Sequence, residues 1–163
     1  MKNTKKNLVC CVIALSYILI LTSNLNAATL TIGSSSGSPG NKNISVPISL
    51  TSAPGEQVCS FNFDLNFDAA KLSFKEVMLG SVAEGAGKSL SFSQPCSNTI
   101  RVVVVGLNQN VINDGTVLTF TFDILNNTPA GKTKLTITKP SISDPNGKAL
   151  AVNIGGGVLE VLR

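Results

Sequence analysis

Asp64 and Asp68 are the residues whose type and spacing could support acid–base catalysis in this 163-residue sequence. A glycosidase uses two carboxylates placed across a cleft, one of them as the general acid. Asp64, however, alternates with apolar residues, which places it on the solvated face of a predicted strand. Asp68 follows that strand, where an aspartate caps backbone N–H groups at the start of a turn. We therefore expect structural roles for both carboxylates and predict that the protein is not an enzyme.

Histidine is absent from the whole sequence. Its absence excludes the Ser-His-Asp and Cys-His arrangements of nucleophilic catalysis and all metal sites built on imidazole. Residues 108–115 and 144–147 are rich in oxygen ligands of the kind that calcium prefers. Asn, Asp and Gly are also the ordinary residues of turns, and we interpret both segments as turns. The sequence therefore predicts neither a metal nor a cofactor.

The polar residues around Asp64 belong to a segment with the two-residue period of a β-strand. From residue 59 to residue 67, the apolar positions are Cys59, Phe61, Phe63, Leu65 and Phe67. The positions between them are Ser60, Asn62, Asp64 and Asn66. Successive side chains of a strand point to opposite faces, so one face of this strand belongs to a core and the other carries a polar row.

Short segments of the same kind recur along the chain, separated by Gly, Pro, Asn and Asp, without a convincing amphipathic helix. The predicted strands are residues 29–32, 44–50, 58–67, 72–78, 89–94, 99–105, 117–125, 134–138 and 158–162, and residues 149–152 are a further short segment that could pair. Roughly nine strands at this spacing indicate an all-β sandwich or barrel. Residues 58–67 and 117–125 carry most of the phenylalanines, so we expect them to face each other across the core or to lie centrally in their sheets.

The N-terminus has the pattern of a secretory signal peptide. Three lysines precede an apolar run at residues 8–21, and a polar stretch then ends at Ala27 and Ala28. We predict cleavage after Ala27, which leaves residues 28–163 as one secreted domain; an uncleaved membrane anchor is the alternative. Three of the thirteen basic residues and none of the nine acidic ones lie in this segment, so the remainder carries a net charge of +1. Such a charge does not favour nucleic acid as a partner, and membrane contact is expected only during export.

Cys59 and Cys96 remain after removal of the signal segment, which takes Cys10 and Cys11 with it. In an exported chain two cysteines predict a disulfide by default.

Five segments of the sequence resemble, in order and spacing, the cohesin modules of bacterial cellulosomes and related extracellular assemblies. They are GSPGNKNISVPISL, FDLNFDAAKLSFKEVMLG, NTIRVVVVG, INDGTVLTFTFDI and TPAGKTKLTI. The resemblance covers about residues 29–161, with Phe67 in place of the usual tyrosine. It implies a nine-stranded β-sandwich of jelly-roll topology and a protein partner, the dockerin module, which is small, helical and calcium-dependent.

The resemblance also implies where the partner binds. Cohesins use one flat sheet face, built here by residues 58–67, 89–94, 99–105 and 134–138. Ser60, Asn62 and Asp64 fall where family members hydrogen-bond the partner. Residues 99–105 present either Ile100, Val102 and Val104 or Arg101, Val103 and Val105 on that face. We assign Val102 and Val104 to the partner surface and leave the phase of this strand open.

The same resemblance bears on the disulfide. In a jelly roll the strands at residues 58–67 and 99–105 run antiparallel, which places Cys96 near the end of the first strand and Cys59 at its start. About eight residues at ~3.3 Å each would separate them, whereas bridged Cα atoms lie within ~7 Å. Whether Cys59 and Cys96 are bridged therefore stays open.

The expected function is that of a secreted binding module, with a possible place in extracellular polysaccharide degradation. A carbohydrate-binding domain is one alternative, although the sequence after the signal segment lacks the Trp and Tyr that usually stack on sugars. A surface structural or adhesive subunit that pairs through edge strands is another.

Overall fold

The computed structural model describes residues 27–163. The predicted signal peptide, apart from Ala27, lies outside the described residues, as do Cys10 and Cys11. Within residues 27–163, the helical content does not include a segment with the length and hydropathy needed to span a membrane.

The described part of the chain consists of twelve strands and one short helix. Their bounds are β1 Ala28–Ile32, β2 Ser35–Gly37, β3 Ile44–Thr51, β4 Ser60–Asn66, β5 Leu72–Leu79, α1 Ser81–Gly85, β6 Ser89–Cys96, β7 Thr99–Val105, β8 Gly115–Ile124, β9 Gly131–Ser143, β10 Ala149–Leu150, β11 Val152–Gly155 and β12 Gly157–Val161.

The strands form two sheets that pack face to face. The first sheet has the order β11-β1-β3-β8-β5, and the second sheet has the order β2-β12-β9-β4-β7-β6, with β10 paired to β9. The predicted all-β sandwich is confirmed. Twelve strands replace the nine expected because the Ser- and Gly-rich β2, which pairs over three residues, has the sequence of a loop, and residues 149–155 form two short strands, β10 and β11.

The core is centred on the contact between β4 and β8, as the sequence predicts. Within their sheets β4 lies between β9 and β7, and β8 lies between β3 and β5. The rings of Phe63 and Phe120 are 6.4 Å apart between centroids, and those of Phe67 and Phe122 are 5.1 Å apart. Each of these phenylalanines is buried, which contributes about 1.5–3 kcal/mol per side chain before entropy is counted.

Helix α1 carries the chain from β5 of the first sheet to β6 of the second sheet. It begins after Gly80, where the backbone runs against β8. A Cβ atom on Gly80 would lie 2.1 Å from the carbonyl oxygen of Thr116, so no larger residue fits without moving the strand. The buried Ala83 then closes the helix onto the core.

Replacing Phe120 with alanine tests the β4–β8 contact. Phe120 is fully buried and packs on Phe63, Phe74 and Phe122, so Phe120→Ala should lower the free energy of unfolding by about 3–5 kcal/mol. Thr119→Ala, on the opposite face of β8, is the control and should change it by less than about 0.5 kcal/mol. Urea denaturation measures both, and equal losses in the two variants would contradict the assigned core.

Candidate protein-binding face

The four strands implicated by the sequence lie side by side in the second sheet, in the order β9-β4-β7-β6. Cross-strand pairing places their outward side chains in rows across the sheet. One row contains Asn62 of β4, opposite Ser141 of β9 and Val103 of β7, which in turn faces Ser91 of β6. We call the solvent side of these four strands the outer face of the second sheet.

The next row is centred on an ion pair between Asp64 and Arg101. The guanidinium donates from Nε to Oδ1 at 2.7 Å and from Nη2 to Oδ2 at 2.8 Å. Asp64 is only 4% exposed although it belongs to the outer face, because Arg101 and Lys139 cover it. The hydrogen bond from Arg101 lowers the pKa of Asp64 below its ordinary value and outweighs burial, which acts in the opposite direction.

A β-bulge in β9 brings Lys139 to this ion pair. Asn62 pairs with Ser141 and Asp64 with Thr138, so β9 has one residue more than β4 between these two pairs. Lys139 takes a positive φ of 50° in the bulge, and its Nζ lies 3.5 Å from Oδ2 of Asp64. A bulge of this kind redirects a side chain at a sheet surface, and here it adds a second cation beside one carboxylate.

An apolar stripe runs along β7 next to these polar rows. Val103 is 37% exposed and Val105 is 49% exposed, and Leu107, just after the strand, is fully exposed. We call these three residues the β7 stripe. Isolated exposed apolar residues are common at protein surfaces, but several exposed apolar residues at successive alternate positions beside polar rows are typical of a site of protein contact.

The burial of β7 corrects part of the predicted partner surface. Val102 and Val104 are fully buried in the core with Ile100, so their assignment to the partner surface is wrong. Arg101, Val103 and Val105 take the outward positions instead. The charge of Arg101 is the signal that could have fixed this phase, because an arginine is almost never fully buried without a partner.

The remaining predicted residues, Ser60 and Asn62, do lie on the outer face with Asp64. The hydroxyls of Ser60 and Ser143 are 2.6 Å apart across β4 and β9, and Asn62 is exposed. Sequence reasoning did not find Lys139 or Leu107, because a bulge and a loop set their positions rather than the strand period.

Cys59 and Cys96 are both free in the described part of the chain. Cys59 precedes the first residue of β4, whereas Cys96 is opposite Thr99, which pairs with Asn66 at the last residue of β4. Seven strand residues separate the two positions, or about 23 Å at ~3.3 Å per residue. The disulfide that the sequence left open therefore does not form, because the antiparallel pairing of β4 and β7 places the cysteines at opposite ends of the sheet.

The other carboxylates that could hold a metal or act as a base serve turns in the structure. Asp68 Oδ1 accepts a hydrogen bond from the Ala70 N–H at 3.0 Å. Asp144 Oδ1 accepts from the N–H groups of Asn146 and Lys148 at 2.9 and 2.8 Å. Among residues 27–163 there is no cluster of three His, Cys, Asp or Glu side chains that could ligate a metal.

Comparison with known proteins identifies relatives of this sandwich. The cohesin domain family matches residues 28–155. The sixth cohesin of Acetivibrio cellulolyticus scaffoldin B, solved with a Cel5 dockerin variant, superposes with a TM-score of 0.75 at 18% identity, over 83% of this chain and 99% of its own. The Clostridium thermocellum OlpA cohesin, solved with the dockerin Doc918, gives a TM-score of 0.74 at 19% identity, over 84% and 100%.

A third similar structure comes from an organism of another domain of life. It is a non-cellulosomal cohesin of the archaeon Archaeoglobus fulgidus, with a TM-score of 0.69 and 21% identity, over 84% of this chain and 92% of its own. At these identities the solved structures share the fold with this chain. No curated protein matches the sequence.

Replacing Asp64 with asparagine tests the ion pair through its pH dependence. A carboxylate whose pKa is lowered by folding contributes stability that is fully present above its unfolded pKa of about 3.9 and is lost as the pH falls through the folded value. Asp64→Asn should therefore be less stable than the wild type at pH 7, and the difference should shrink below about pH 4. Urea denaturation across this pH range measures the effect.

Arg101→Met provides the matched control for the same experiment. It removes the main cause of the lowered pKa, so its stability should show a similarly weakened dependence on pH. A wild-type pH profile in either variant would contradict a stabilising role for the pair.

Proposed function

Because the chain belongs to the cohesin family, we propose that it is a non-enzymatic binding module that docks a dockerin-like protein on the outer face of the second sheet. The observation that carries the proposal is the β7 stripe, an exposed apolar ridge on a face that is otherwise polar. Cohesins of Acetivibrio cellulolyticus and Clostridium thermocellum were solved with bound dockerins, which supports a partner of this kind.

The arrangement of the face resembles that of a protein interface, with an apolar centre and a polar border. Interface energy is usually concentrated in a few central side chains, while the surrounding polar groups exclude water and set the orientation. The β7 stripe supplies the apolar centre. Asn62 and Ser141 lie in the row of Val103 and supply amide and hydroxyl groups beside it.

Arg101 is positioned to form polar contacts with the partner at this interface. Its side chain is half-exposed, and Asp64 already fixes the guanidinium through Nε and Nη2. A guanidinium has five N–H groups, so those that Asp64 does not use remain to bind a carboxylate or carbonyl oxygen of the partner. Because the rotamer is already fixed, binding would cost less side-chain entropy than for a mobile arginine.

The charge of the face favours an acidic partner surface. Lys132 and Lys134 of β9 are exposed on the same sheet, and Arg101 and Lys139 add two further cations near Asp64. Charges at the border of an interface mainly accelerate association and are screened by salt. We therefore expect association with the partner to slow as the salt concentration rises.

The proposal includes export of the module. The N-terminal pattern supports a signal peptide at residues 1–27, followed by a secreted domain at residues 28–163. A role in extracellular polysaccharide degradation is part of the same proposal, and it rests on the family resemblance rather than on sugar-binding residues of this chain.

Two features work against the other functions considered. Phe92 is half-exposed, but it packs edge-on against Phe74 at 5.9 Å between the sheets instead of forming a flat platform for a sugar. The edge strand β6 contains Pro95 within a bulge between Ser93 and Cys96. Proline and bulges on an edge strand impede pairing with another chain, which argues against an adhesive subunit.

Replacing Val105 with aspartate tests the proposed face. A charge in the centre of an apolar contact should weaken binding at least tenfold, or about 1.4 kcal/mol. The partner is first isolated by pull-down from the secreted proteins of the source organism, with calcium and with a chelator present in parallel. Titration calorimetry with the isolated partner then compares the wild type and Val105→Asp.

Met78→Asp is the matched control for this titration. Met78 is 51% exposed, close to the exposure of Val105, but it belongs to β5 of the first sheet, where it pairs with Thr119. Met78→Asp should leave the affinity unchanged. Equal weakening by both substitutions, or the failure of any secreted dockerin-bearing protein to bind, would refute the proposed function.

A further inference from the structure

Lys88 is a buried lysine whose ammonium group contacts a cysteine. It is 5% exposed, and its Nζ donates to Sγ of Cys59 at 3.2 Å. Its other contacts are Oδ1 of Asn108 at 2.9 Å and the Asn108 carbonyl oxygen at 3.4 Å. Among the described residues there is no carboxylate within 4 Å of this Nζ. A lysine is almost never buried without an ionic partner, so the burial of Lys88 beside a thiol and an amide is unusual.

Three segments hold the Cys59–Lys88 pair in place. The backbone N–H of Lys88 donates to the Ala83 carbonyl of α1 at 3.1 Å. Gly87, which precedes Lys88, has a φ of 66° and accepts a hydrogen bond from the Asn108 side chain at 3.0 Å. The Cys59 N–H donates to the Ser143 carbonyl at 2.8 Å. The sulfur and the nitrogen are thus held on separate segments whose backbones are fixed by hydrogen bonds.

The surroundings of the pair favour reaction between its two members. Cys59 is 9% exposed, which admits a small oxidant but obstructs the approach of a second protein thiol. Cys96, the other cysteine of the described part, lies at the opposite end of the sheet and cannot form a disulfide with it. The Lys88 nitrogen is therefore the nucleophile positioned to capture an oxidised Cys59.

We propose that Cys59 and Lys88 form an oxidative modification site, in which peroxide closes a covalent link between Sγ and Nζ. The proposal is independent of the partner bound by the outer face. The link would join the residue before β4 to the residue before β6, and it would close a covalent ring across segments that hydrogen bonds now connect.

The chemistry of the link balances in two steps. Hydrogen peroxide transfers one oxygen to the thiol, which gives a sulfenic acid and one water. Lys88 loses its extra proton to solvent, and its neutral nitrogen attacks the sulfur and forms the S–N bond. The S–O bond breaks, and the hydroxyl leaves as a second water with a proton from the nitrogen. In total, one peroxide is reduced, and the thiol and amine together lose two hydrogens.

Mass spectrometry of the peroxide-treated chain tests the proposal. The purified chain carries Cys96→Ser to remove the exposed thiol, and it is treated with increasing amounts of hydrogen peroxide. A link should lower the mass by about 2 Da and join the peptides of Cys59 and Lys88, and dithiothreitol should reverse it. Trypsin should no longer cleave after Lys88.

Two variants separate the link from ordinary oxidation of a cysteine. Lys88→Arg keeps a cation and its hydrogen bonds but removes the amine, so it should gain about 16 Da or more and form no link. Cys59→Ala removes the sulfur and should also form no link. It keeps the proposal testable if Lys88→Arg does not fold. Thermal melting establishes that each variant is folded.

Three outcomes would overturn the proposal. The first is oxygen addition to Cys59 in the wild-type pair without joined peptides. The second is identical oxidation products in the wild type and in Lys88→Arg. The third is joined peptides of Lys88 and Asn108 without oxidant, which would mean that Lys88 had instead formed an amide with the Asn108 side chain and released ammonia.

Discussion

The packing of β4 against β8 is the constraint on which the rest of the structure depends. Phe61, Phe63 and Leu65 point from β4 into the core, and so does Phe67, which directly follows the strand. Because side chains alternate along a strand, a shift of pairing by one residue would send this whole set into solvent and bury the polar row. The free energy of the buried phenylalanines therefore fixes which residues of β4 point outward. The register of their pairs with β4 then determines which residues of the neighbouring strands β7 and β9 point outward.

The outer face differs from a simple solvated sheet because it contains a nearly buried charge. Asp64 points outward by register, yet Arg101 from one neighbouring strand and Lys139 from the other cover it. The bulge in β9 and the positive φ of Lys139 are needed for that second contact. Backbone conformations of this kind cost energy and persist where the surrounding structure holds them. Here the ion pair and the pairing of β4 with β9 hold the bulge at Lys139 in place. A fixed arrangement of polar groups therefore lies next to the apolar β7 stripe.

The fold and much of the outer face could be predicted from the sequence, because both follow from local alternation. The clear alternation in β4 identified Ser60, Asn62 and Asp64 as outward residues. In β7 the four consecutive valines, Val102 to Val105, make both faces apolar, so there is no alternation of apolar and polar residues to show which face is buried. The wrong pair of valines was therefore assigned to the surface. The burial of Asp64 could not be predicted, because it depends on residues 37 and 75 positions away in the chain. For the cysteines two sequence arguments pointed in opposite directions: the expected compartment favours a disulfide, whereas the length of β4 keeps the two residues apart, and the structure agrees with the second argument.

The same register that separates the two cysteines also explains why Lys88 and Cys59 meet. Cys59 continues the inward phase of β4 beyond the first paired residue, so its sulfur points toward the end of the core. Lys88 precedes β6, which begins at that same end because β6 and β4 both run antiparallel to β7. The chain must pass from the first sheet to the second through α1 to reach this point, and Gly80 and Gly87 make the tight path possible. The contact between the Lys88 amine and the Cys59 thiol is therefore a consequence of sheet order and loop geometry. It could not be predicted from a local sequence pattern.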